Sequence, residues 1–365
     1  MKKVLIIGTT NIYGGVGHIM FELCNSMNKE EVSFDFLYYQ DATLKEKEMI
    51  HALGGEFYLV PRYSKKPIAF YKVLREFYKE HHYDVIHVHA STAMLILYTF
   101  PVWNDGNVHI VYQSHVREIA GKSNYLLHTI LRKKVNKCAK CRLAVSKDAF
   151  DFMYGFESGQ EPIILNNGIK VTDFLFHEEI RKKQRELLGI GKKYVIGHVG
   201  RFSKAKNHTF LVDVFDELCK RNENYVLLLI GNGEDEIEVR DKVKNLQLTE
   251  KVIFYGTSEN VGELMCAMDC FVFPSIYEGL GIVAIEAQAN GLPVVASDKV
   301  PKEAKVTELL QYVSLEATTD EWVKHIIAQC HKDLDRYKYN HIVAEAGYDI
   351  DVVTRQLEDI YFKLY

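Results

Sequence analysis

The chain has 365 residues, which is more than one ordinary hydrophobic core holds and matches the size of two typical domains. Hydrophobic residues make up 47% and charged residues 26%, which excludes a disordered chain, and the absence of any apolar run near the roughly 20 residues of a membrane span excludes a membrane-spanning one. The formal net charge of −4 gives no reason to expect nucleic acid as a partner.

The sequence begins with a short apolar run, Val4–Ile7, behind two lysines. Four apolar residues followed by Gly-Thr-Thr are too few for a signal peptide, so this run predicts a first β-strand. Seven scattered cysteines without a secretory signal predict reduced thiols and a cytoplasmic protein. Cys138 and Cys141 have C-x-x-C spacing, but no second Cys or His pair follows at zinc-finger spacing, so we expect no zinc site there.

Short apolar runs alternate with helical patterns along the whole chain, which predicts an α/β protein with parallel sheets flanked by helices. The strands predicted in the first half are Val4–Ile7, Phe34–Tyr38, Glu56–Val60, Asp84–Val88, His109–Tyr112, Leu143–Val145 and Ile163–Leu165. Those predicted in the second half are Tyr194–His198, Tyr225–Ile230, Val252–Tyr255, Cys270–Phe273 and Val294–Ala296. A helix is predicted between the two sets, at His177–Leu188.

A polar stretch from Val171 to Lys193 separates the two sets of strands, and we place the domain boundary there. The predicted domains are residues 1–175 and 176–348, each a doubly wound, Rossmann-like unit. Residues 349–365 carry apolar side chains at helical spacing and are expected to pack back onto the first domain. Doubly wound sheets bind ligands beyond the carboxyl ends of their strands, so two such domains facing each other predict a ligand cleft.

A glycine-rich turn follows the first predicted strand, and the helix predicted after it continues through Met27. Gly15 and Gly17 have no Cβ atom to keep a bulky ligand from the backbone, so the turn is a candidate binding site. The alternative is a turn that binds nothing. The segment Gly14–Gly17 lacks G-x-G-x-x-G spacing, which disfavours a dehydrogenase.

Histidines end two predicted strands of the first half. His87 and His89 form an H-x-H pair that suggests a metal site, although no third ligand is evident from the spacing. His115 ends another strand and could hydrogen-bond a reacting substrate or stabilise positive charge on it through its own backbone. The alternative for each is a packed histidine that a neighbouring group satisfies.

The segment 122–147 contains eight Lys or Arg residues and no Asp or Glu. Apolar side chains between Tyr125 and Leu131 precede most of these cations, so a helix here would be both basic and amphipathic. Such a helix can lie on an anionic membrane surface. The alternative is a solvated helix whose apolar side packs on its own domain.

Two cations, Arg201 and Lys206, follow the first strand of the second half and precede a predicted helix. Arg201 can contact a phosphate through two parallel hydrogen bonds, whereas Lys206 acts as a point charge. The alternative is an ordinary surface loop. The next two strands end in glycine-containing segments with Gly231, Gly233 and Phe254, which either offer groups to a flat base or are simple turns.

The most informative stretch is Phe273–Glu286, in which a short apolar strand leads through a Gly-x-Gly turn into a helix. The first turn of that helix leaves backbone N–H groups without intrahelical partners, which favours an anion there. Glu278 and Glu286 lie eight residues apart and should contact different parts of one extended ligand. The alternative is a turn followed by an amphipathic helix, because short glycine motifs also occur by chance.

With these motifs, and with Asn166–Ile169 and Gly291–Ser297, the sequence resembles retaining GT-B glycosyltransferases of family 4, in particular the capsular and exopolysaccharide branch. The resemblance covers nearly the whole chain, and E-x7-E is its specific part. It implies the GT-B fold, a nucleotide-sugar donor, and a lipid-linked or saccharide acceptor. We expect the donor to carry UDP, with GDP as the alternative, and the protein to be cytoplasmic or peripheral on the inner face of the membrane.

The resemblance also implies a role for each candidate residue. Glu286 would hydrogen-bond the donor ribose, while Glu278 and the backbone of Gly279, Leu280 and Gly281 would hold the donor sugar and its phosphate. Arg201 and Lys206 would neutralise the diphosphate with the amides of Gly15 and Gly17, and His115 would lie near the donor sugar. We therefore expect four catalytic residues, His115, Arg201, Lys206 and Glu278. The expected donor-binding residues are Gly15, Gly17, Arg201, Lys206, Gly231, Gly233, Phe254, Glu278, Gly279, Leu280, Gly281 and Glu286.

The implied reaction uses no metal and no cofactor. D-x-D occurs only at Asp333–Asp335 and Asp349–Asp351, which follow no predicted strand. Cations and helix N-termini would stabilise the leaving diphosphate instead. The alternatives are a nucleotide-sugar epimerase or phosphorylase of the same architecture, and a non-catalytic subunit that binds sugar nucleotide.

Overall fold

The computed structural model describes residues 1–8, 15–116, 122–155 and 161–363. The chain divides into two compact units, Met1–Gly168 with Ile350–Tyr365, and Ile169–Asp349. Each unit is a parallel β-sheet flanked by helices, which confirms the predicted fold class. All twelve predicted strands are present, within a few residues of their predicted ends.

The first unit contains a seven-stranded sheet in the order β3-β2-β1-β4-β5-β6-β7, with every neighbouring pair parallel. Its strands are β1 (Lys2–Ile7), β2 (Val32–Tyr38), β3 (Phe57–Leu59), β4 (Val85–Ala90), β5 (His109–Ser114), β6 (Cys141–Ala144) and β7 (Ile163–Ile164). Its helices are α1 (Gly15–Ser26), α2 (Leu44–Ala52), α3 (Pro67–Glu80), α4 (Lys122–Cys138) and α5 (Lys147–Tyr154), with a 3₁₀ segment at Ala93–Val102.

The second unit contains a six-stranded parallel sheet in the order β10-β9-β8-β11-β12-β13. Its strands are β8 (Tyr194–Val199), β9 (Tyr225–Ile230), β10 (Val252–Gly256), β11 (Cys270–Phe273), β12 (Val294–Ser297) and β13 (Leu310–Val313). Its helices are α6 (Glu178–Leu187), α7 (His208–Arg221), α8 (Glu236–Asn245), α9 (Val261–Ala267), α10 (Ile282–Ala289), α11 (Thr319–Cys330) and α12 (Lys338–Val343). Short 3₁₀ segments lie at Val171–Phe174, Lys204–Lys206, Thr249–Lys251 and Lys302–Ala304.

Helices cover both faces of each sheet, so the central strands are buried on both sides. All six residues of β4 and all six of β9 are buried. A strand that is buried on both faces has apolar residues at nearly every position instead of at every second one. The sequence shows this continuous apolar pattern in the central strands. A core cluster lies on each face of both sheets.

The C-terminal helix, α13 (Ile350–Lys363), belongs to the first unit. Val353, Leu357 and Tyr361 are buried in the cluster that also contains Ile19 and Leu23 of α1. The apolar residues at helical spacing therefore cover one face of the first sheet.

The division between the units falls at Gly168 and Ile169, a few residues before the predicted end of the first domain at 175. Ile169 and Val171 pack against Leu280 and Ile285, which are core residues of the second unit. The polar stretch and α6 therefore belong to the second unit. The apolar contacts that decide this division cannot be predicted from the polarity of the sequence.

The strand β13 was not predicted. It has four residues, lies at the edge of its sheet beyond β12, and carries Gln311 between apolar neighbours. Such a short alternating segment gives little signal in a sequence window.

Among the helices of the described ranges, none is both long and apolar enough to span a bilayer. All seven cysteines lie within the described ranges, and none of them forms a disulfide bond.

Candidate functional site

Three loops meet at the carboxyl edge of the second sheet. Because β8 lies between β9 and β11, the loops that follow these three strands are neighbours. Backbone hydrogen bonds join them: the amide of Phe202 donates to Asn232 at 2.9 Å, and the amide of Ile276 donates to Ala205 at 2.7 Å. The loops thus form one connected backbone framework at the sheet edge.

Lys206 and Glu278 form an ion pair within this framework. The Lys206 Nζ atom lies 2.6 Å from Glu278 Oε1 and 4.8 Å from the centre of the Phe273 ring. Only 20% of the Lys206 side chain and 10% of the Glu278 side chain are exposed. Next in sequence, Asn207 adopts a left-handed conformation with φ 57° and donates through Nδ2 to the carbonyl of Pro274 at 3.2 Å. The strand ends therefore fix both charges.

Glu286 lies in the second turn of α10 and is half-buried. Burial raises the pKa of its carboxyl group to about 7, and the positive charge of Lys206 works in the opposite direction. No hydrogen bond or ion pair to this carboxylate occurs within the described ranges. Glu286 is therefore an acceptor available to a ligand, close enough to Lys206 to feel its charge.

The glycine turn leads directly into α10. Gly281 precedes the helix with φ 83°, and a Cβ atom there would lie 3.1 Å from Phe273 Cε1. No side chain of the described residues caps the helix, and the amide of Ala284 donates to the carbonyl of Gly281 at 2.9 Å, so the amides of Ile282 and Val283 are left for another acceptor. Gly279 is exposed, whereas the Leu280 side chain is buried against Ile285, so a contribution of these residues to binding would come from their backbone.

Arg201 lies in the loop after β8 but points to a different partner. Its Nε atom donates to Glu234 Oε2 at 2.9 Å, and 70% of the side chain is exposed. Hydrogen bonds from its own backbone and from Arg201 lower the pKa of Glu234. The structure thus groups Lys206, Glu278 and Glu286, and leaves Arg201 as a solvated cation on the same loop.

Gly231 and Gly233 have a packing function. Added Cβ atoms would lie 2.1 Å from the carbonyl oxygen of Gly200 and 2.2 Å from that of Phe202. These contacts let the loops after β8 and β9 approach closely. Phe254 is half-buried, with its ring 6.0 Å from that of Phe202 and the Arg240 guanidinium 4.0 Å from its centre.

His115 lies in the first unit, directly after β5, and is buried. Its Nε2 atom is 3.0 Å from Nδ1 of His89, and burial lowers its pKa to about 4. The His87 and His89 ring centres are 4.1 Å apart, and Nδ1 of His87 is 2.7 Å from the hydroxyl of Tyr361. The three histidines therefore form a neutral buried row, with Nδ1 of His115 lacking a partner among the described residues.

The glycine turn of the first unit is described only in part. Residues 9–14, including Gly14, lie outside the described residues; Gly15 begins α1 and Gly17 is buried in its first turn. Across the described ranges, no three His, Cys, Asp or Glu side chains are grouped as metal ligands.

Several residues that shape these sites were not predicted to have a role. Phe273 supports the Lys206 ammonium, Glu234 holds Arg201, and His89 orients His115. The hydroxyl of Ser275, which follows β11 and is fully buried, has no partner among the described residues. Phe273, Ser275 and Glu234 lie within the motifs that the sequence shows. Contacts between loops that are distant in the sequence can be identified only once the fold is known.

Two family models match the chain. The model described as glycosyl transferases group 1 matches residues 179–347, and the model described as glycosyltransferase family 4 matches residues 13–171. The two matches follow the division of the chain into two units.

Two curated relatives are similar over most of the chain. "Putative glycosyltransferase EpsF" of Bacillus subtilis (strain 168) is 28% identical, over 99% of this chain and 96% of its own length. "UDP-Gal:alpha-D-GlcNAc-diphosphoundecaprenol alpha-1,3-galactosyltransferase" of Escherichia coli is 23% identical, over 64% of this chain and 62% of its own length.

A solved structure shares the fold over the whole chain. Anabaena Alr3699/HepE in complex with UDP superimposes with a TM-score of 0.78 at 19% identity, with 100% of both chains covered. The same protein in complex with UDP-glucose gives a TM-score of 0.76.

Proposed function

The chain is a glycosyltransferase with the GT-B fold, and we propose that it moves a hexose-type sugar from a UDP-sugar to a lipid-linked or saccharide acceptor, with retention at the anomeric carbon and without a metal ion. We place this reaction in bacterial surface polysaccharide biosynthesis, in the cytoplasm or at the inner face of the membrane. Nucleic acid has no part in it.

The observation that carries this proposal is the Lys206–Glu278 pair beside Glu286, whose carboxylate has no partner among the described residues. A nucleotide-sugar has its diphosphate between the sugar and the ribose, and the Lys206–Glu278 pair and Glu286 offer one cation and two carboxylates at one edge of the second sheet. The cation suits the diphosphate, and the carboxylates suit hydroxyl groups, which donate hydrogen bonds to them.

The role of each residue follows from its position. Glu286 accepts hydrogen bonds from the ribose hydroxyls. Glu278 and the backbone amides of Gly279–Gly281 hold the donor sugar and the phosphate next to it, at the start of α10. Lys206 neutralises charge on the leaving diphosphate, and Arg201 turns from Glu234 toward it when the donor binds.

In the proposed chemical step the bond between the anomeric carbon and the diphosphate oxygen breaks with both electrons going to that oxygen. The acceptor oxygen forms its bond to carbon on the same face, and its proton moves to a phosphate oxygen. Charge grows on the diphosphate as this happens, so a preorganised cation lowers the barrier. No covalent enzyme intermediate is required, unlike in retaining glycosidases, where a carboxylate is the nucleophile.

The first unit supplies the acceptor side. We assign His115 to the neighbourhood of the donor sugar, and the amides of Gly15 and Gly17 to the diphosphate. The low pKa of His115 keeps its ring neutral at physiological pH, so it can act as a hydrogen-bonding group but not as a cation.

Similarity to named proteins supports the choice of substrates. The Escherichia coli relative is named for a UDP-galactose donor and an acceptor carrying diphosphoundecaprenol, and Alr3699/HepE binds UDP and UDP-glucose in its structures. These names favour UDP over GDP and a lipid-linked acceptor.

The test uses the purified protein with a panel of nucleoside diphosphates and UDP-sugars. We expect UDP to raise the melting temperature more than GDP or ADP, because a ligand that binds only the folded state stabilises it. Sugar transfer to extracted lipid-linked acceptors is then measured with radiolabelled donor, with and without a metal chelator. Lys206→Met should lower transfer by about a hundredfold or more. Lys204→Met, which removes an exposed cation in the same 3₁₀ segment, should leave transfer unchanged.

Each other outcome contradicts a stated part of the proposal. Stabilisation by GDP alone overturns the choice of base. Loss of transfer with the chelator overturns metal independence. Conversion of the nucleotide-sugar without any acceptor indicates an epimerase, and donor binding without transfer to any acceptor indicates a binding subunit.

A further inference from the structure

Two histidines lie at the carboxyl ends of neighbouring strands in the first sheet. His115 follows β5, and its amide donates to the carbonyl of Ala90 in β4 at 3.0 Å, so β4 fixes the backbone of His115. His89 is the residue before Ala90, and its carbonyl oxygen would lie 2.1 Å from a Cβ atom added to Gly8, which follows β1. His89 is therefore held between the end of β1 and His115.

A hydrogen bond joins the two imidazole rings. Nδ1 of His89 lies 3.0 Å from Nε2 of His115, and the ring centres are 5.2 Å apart. Both side chains are buried, and burial lowers the pKa of each ring, so both rings are neutral at physiological pH. A neutral imidazole has one N–H group, so one of the two rings donates to the other.

The outer nitrogen atoms show which ring donates. Among the described residues, Nδ1 of His115 is fully buried without a hydrogen-bond partner, and Nε2 of His89 is not. A proton on Nδ1 of His115 would make a buried N–H group without an acceptor, and such groups are rarer in proteins than buried acceptors without a donor. The proton of His115 therefore belongs on Nε2, which donates to Nδ1 of His89, and Nδ1 of His115 has a free lone pair.

A buried histidine that only supports the fold differs from His115. His128 of α4 is also buried, but both its ring nitrogens bond to backbone groups. Its Nδ1 atom accepts from the amide of Ala93 at 3.1 Å, and its Nε2 atom donates to the carbonyl of Phe152 at 3.2 Å. His115 instead keeps one nitrogen unused at the carboxyl edge of a parallel sheet, which is where such sheets bind ligands.

We propose that His89 is a positioning residue: it holds His115 in the tautomer with the proton on Nε2, so that Nδ1 of His115 accepts a hydrogen bond from a hydroxyl group of the donor sugar. The inference rests on the proposed function, which places His115 near that sugar, and it deepens that function by giving the hydrogen bond a direction. A sugar hydroxyl has a proton to donate to this lone pair. Without His89 the proton can move to Nδ1, and the acceptor is lost.

The tautomer is measured directly, in the full chain without donor or acceptor. Nitrogen chemical shifts of ¹⁵N-labelled histidine distinguish a protonated ring nitrogen from an unprotonated one, and the signals that disappear in His115→Asn belong to His115. We expect the proton on Nε2 in the wild type and in His89→Asn, because the Asn Oδ1 atom can take the place of Nδ1 as acceptor. His89→Phe has no acceptor, so the proton should be shared between both nitrogens. A wild-type His115 protonated on Nδ1 would overturn the proposal.

Sugar transfer shows whether the tautomer matters for the reaction. His89→Phe should lower kcat by about tenfold or more, as the loss of an outer partner of a ligand-binding histidine typically does. UDP lacks the sugar and should still raise the melting temperature of this variant as it does for the wild type. His89→Asn should keep most of kcat, and an equal loss in both variants would assign His89 to packing alone. If His89→Phe does not fold, the spectra and the kcat of His89→Asn decide.

A double variant and a matched control separate positioning from packing. His89→Phe/His115→Ala should transfer sugar no more slowly than His115→Ala, because His89 acts through His115. His128→Phe removes an equally buried histidine of the same unit and should lower stability while leaving kcat unchanged. Additive losses in the double variant would overturn the proposal. A normal kcat in His115→Ala would contradict the proposed position of His115 itself, whereas the wrong tautomer beside a normal response to UDP contradicts only the role of His89.

Donor analogues test the direction of the hydrogen bond. Each hydroxyl of the donor sugar is replaced in turn by fluorine, which cannot donate a hydrogen bond. At the contacted position the wild type should lose about tenfold more turnover than His115→Ala does, a comparison that cancels the intrinsic effect of fluorine on the reaction. Equal losses in the two proteins at every position would show that His115 accepts no hydrogen bond from the sugar.

Discussion

The ammonium of Lys206 and the carboxylate of Glu278 are 2.6 Å apart, although 71 residues separate them in the sequence. Both charges are largely buried, so each depends on the other for compensation. A diphosphate that enters the site can share the lysine with Glu278 and thereby free a carboxylate oxygen for a sugar hydroxyl. The pair thus keeps a cation in place before the donor arrives.

Replacing Lys206 by methionine should lower sugar transfer by about a hundredfold or more, because one preorganised donor to the developing charge is lost. It should also destabilise the protein by about 3 kcal/mol, since Glu278 is left buried without its partner. Steady-state kinetics and urea unfolding measure the two effects. Glu278→Gln/Lys206→Met should recover part of the stability but not the activity; recovery of both would rule out a role for Lys206 in the reaction.

The pKa of Glu286 makes donor binding depend on pH. At about pH 7 half of the free protein carries a proton on this carboxyl group, and ribose hydroxyls bind better to the carboxylate. Affinity for UDP-glucose, whose diphosphate does not titrate near neutrality, should therefore rise between pH 6 and about 8. Calorimetry on Glu286→Gln should show weaker binding without this rise. A wild-type affinity independent of pH would remove the ribose assignment.

The same group links folding to pH in the opposite direction. Its pKa is raised from 4.5 in the free residue to about 7 in the folded protein, so the folded state binds more protons between these values. The free energy of unfolding should fall by about 1–3 kcal/mol, relative to Glu286→Gln, as the pH rises through this window. The exposed Glu238→Gln serves as control and should follow the wild type.

Arg201→Ala should lower turnover by about a hundredfold while leaving stability nearly unchanged, because an exposed ion pair adds little to stability. Glu234→Gln removes the partner of Arg201 but keeps the cation, so it should retain activity. Kinetics and thermal melts of the two variants distinguish a catalytic cation from a surface one. Normal turnover in Arg201→Ala would leave Lys206 as the single side-chain cation of the donor site.

Gly233→Ala should destabilise the second unit by about 2 kcal/mol or more, because the new Cβ atom would lie 2.2 Å from the carbonyl oxygen of Phe202. Gly106→Ala is a matched control, since nothing lies within 4 Å of its Cβ position. Chemical denaturation measures both. A neutral Gly233→Ala would show that the two loops can separate without cost.

Much of the fold could be predicted because its strands are buried on both faces. Runs such as Tyr225–Ile230 and Cys270–Phe273 are apolar throughout, and each has the same bounds in the structure. Edge strands carry less of this signal: two of the four residues of β13 are only half-buried and one of them is polar, and this strand was not predicted.

The candidate site was predictable as a set of residues that follow strands, but not as pairs. Lys206 and Glu278 both follow strands, and a sequence cannot state that β8 and β11 are neighbours. For the same reason the partner of Arg201 and the contact between His89 and His115 emerged only with the fold. Gly231 and Gly233 also allow two loops to pack closely, and this packing role could not be predicted from the sequence.

The hydroxyl of Tyr361 in α13 bonds to His87 in the middle of the first sheet, so the first unit is assembled from both ends of the chain. During translation its core stays incomplete until α13 leaves the ribosome, after every residue of the second unit has emerged. A recombinant fragment of residues 1–168 would expose the apolar surface that α13 covers, and would be expected to aggregate, whereas residues 169–349 contain a complete core of their own.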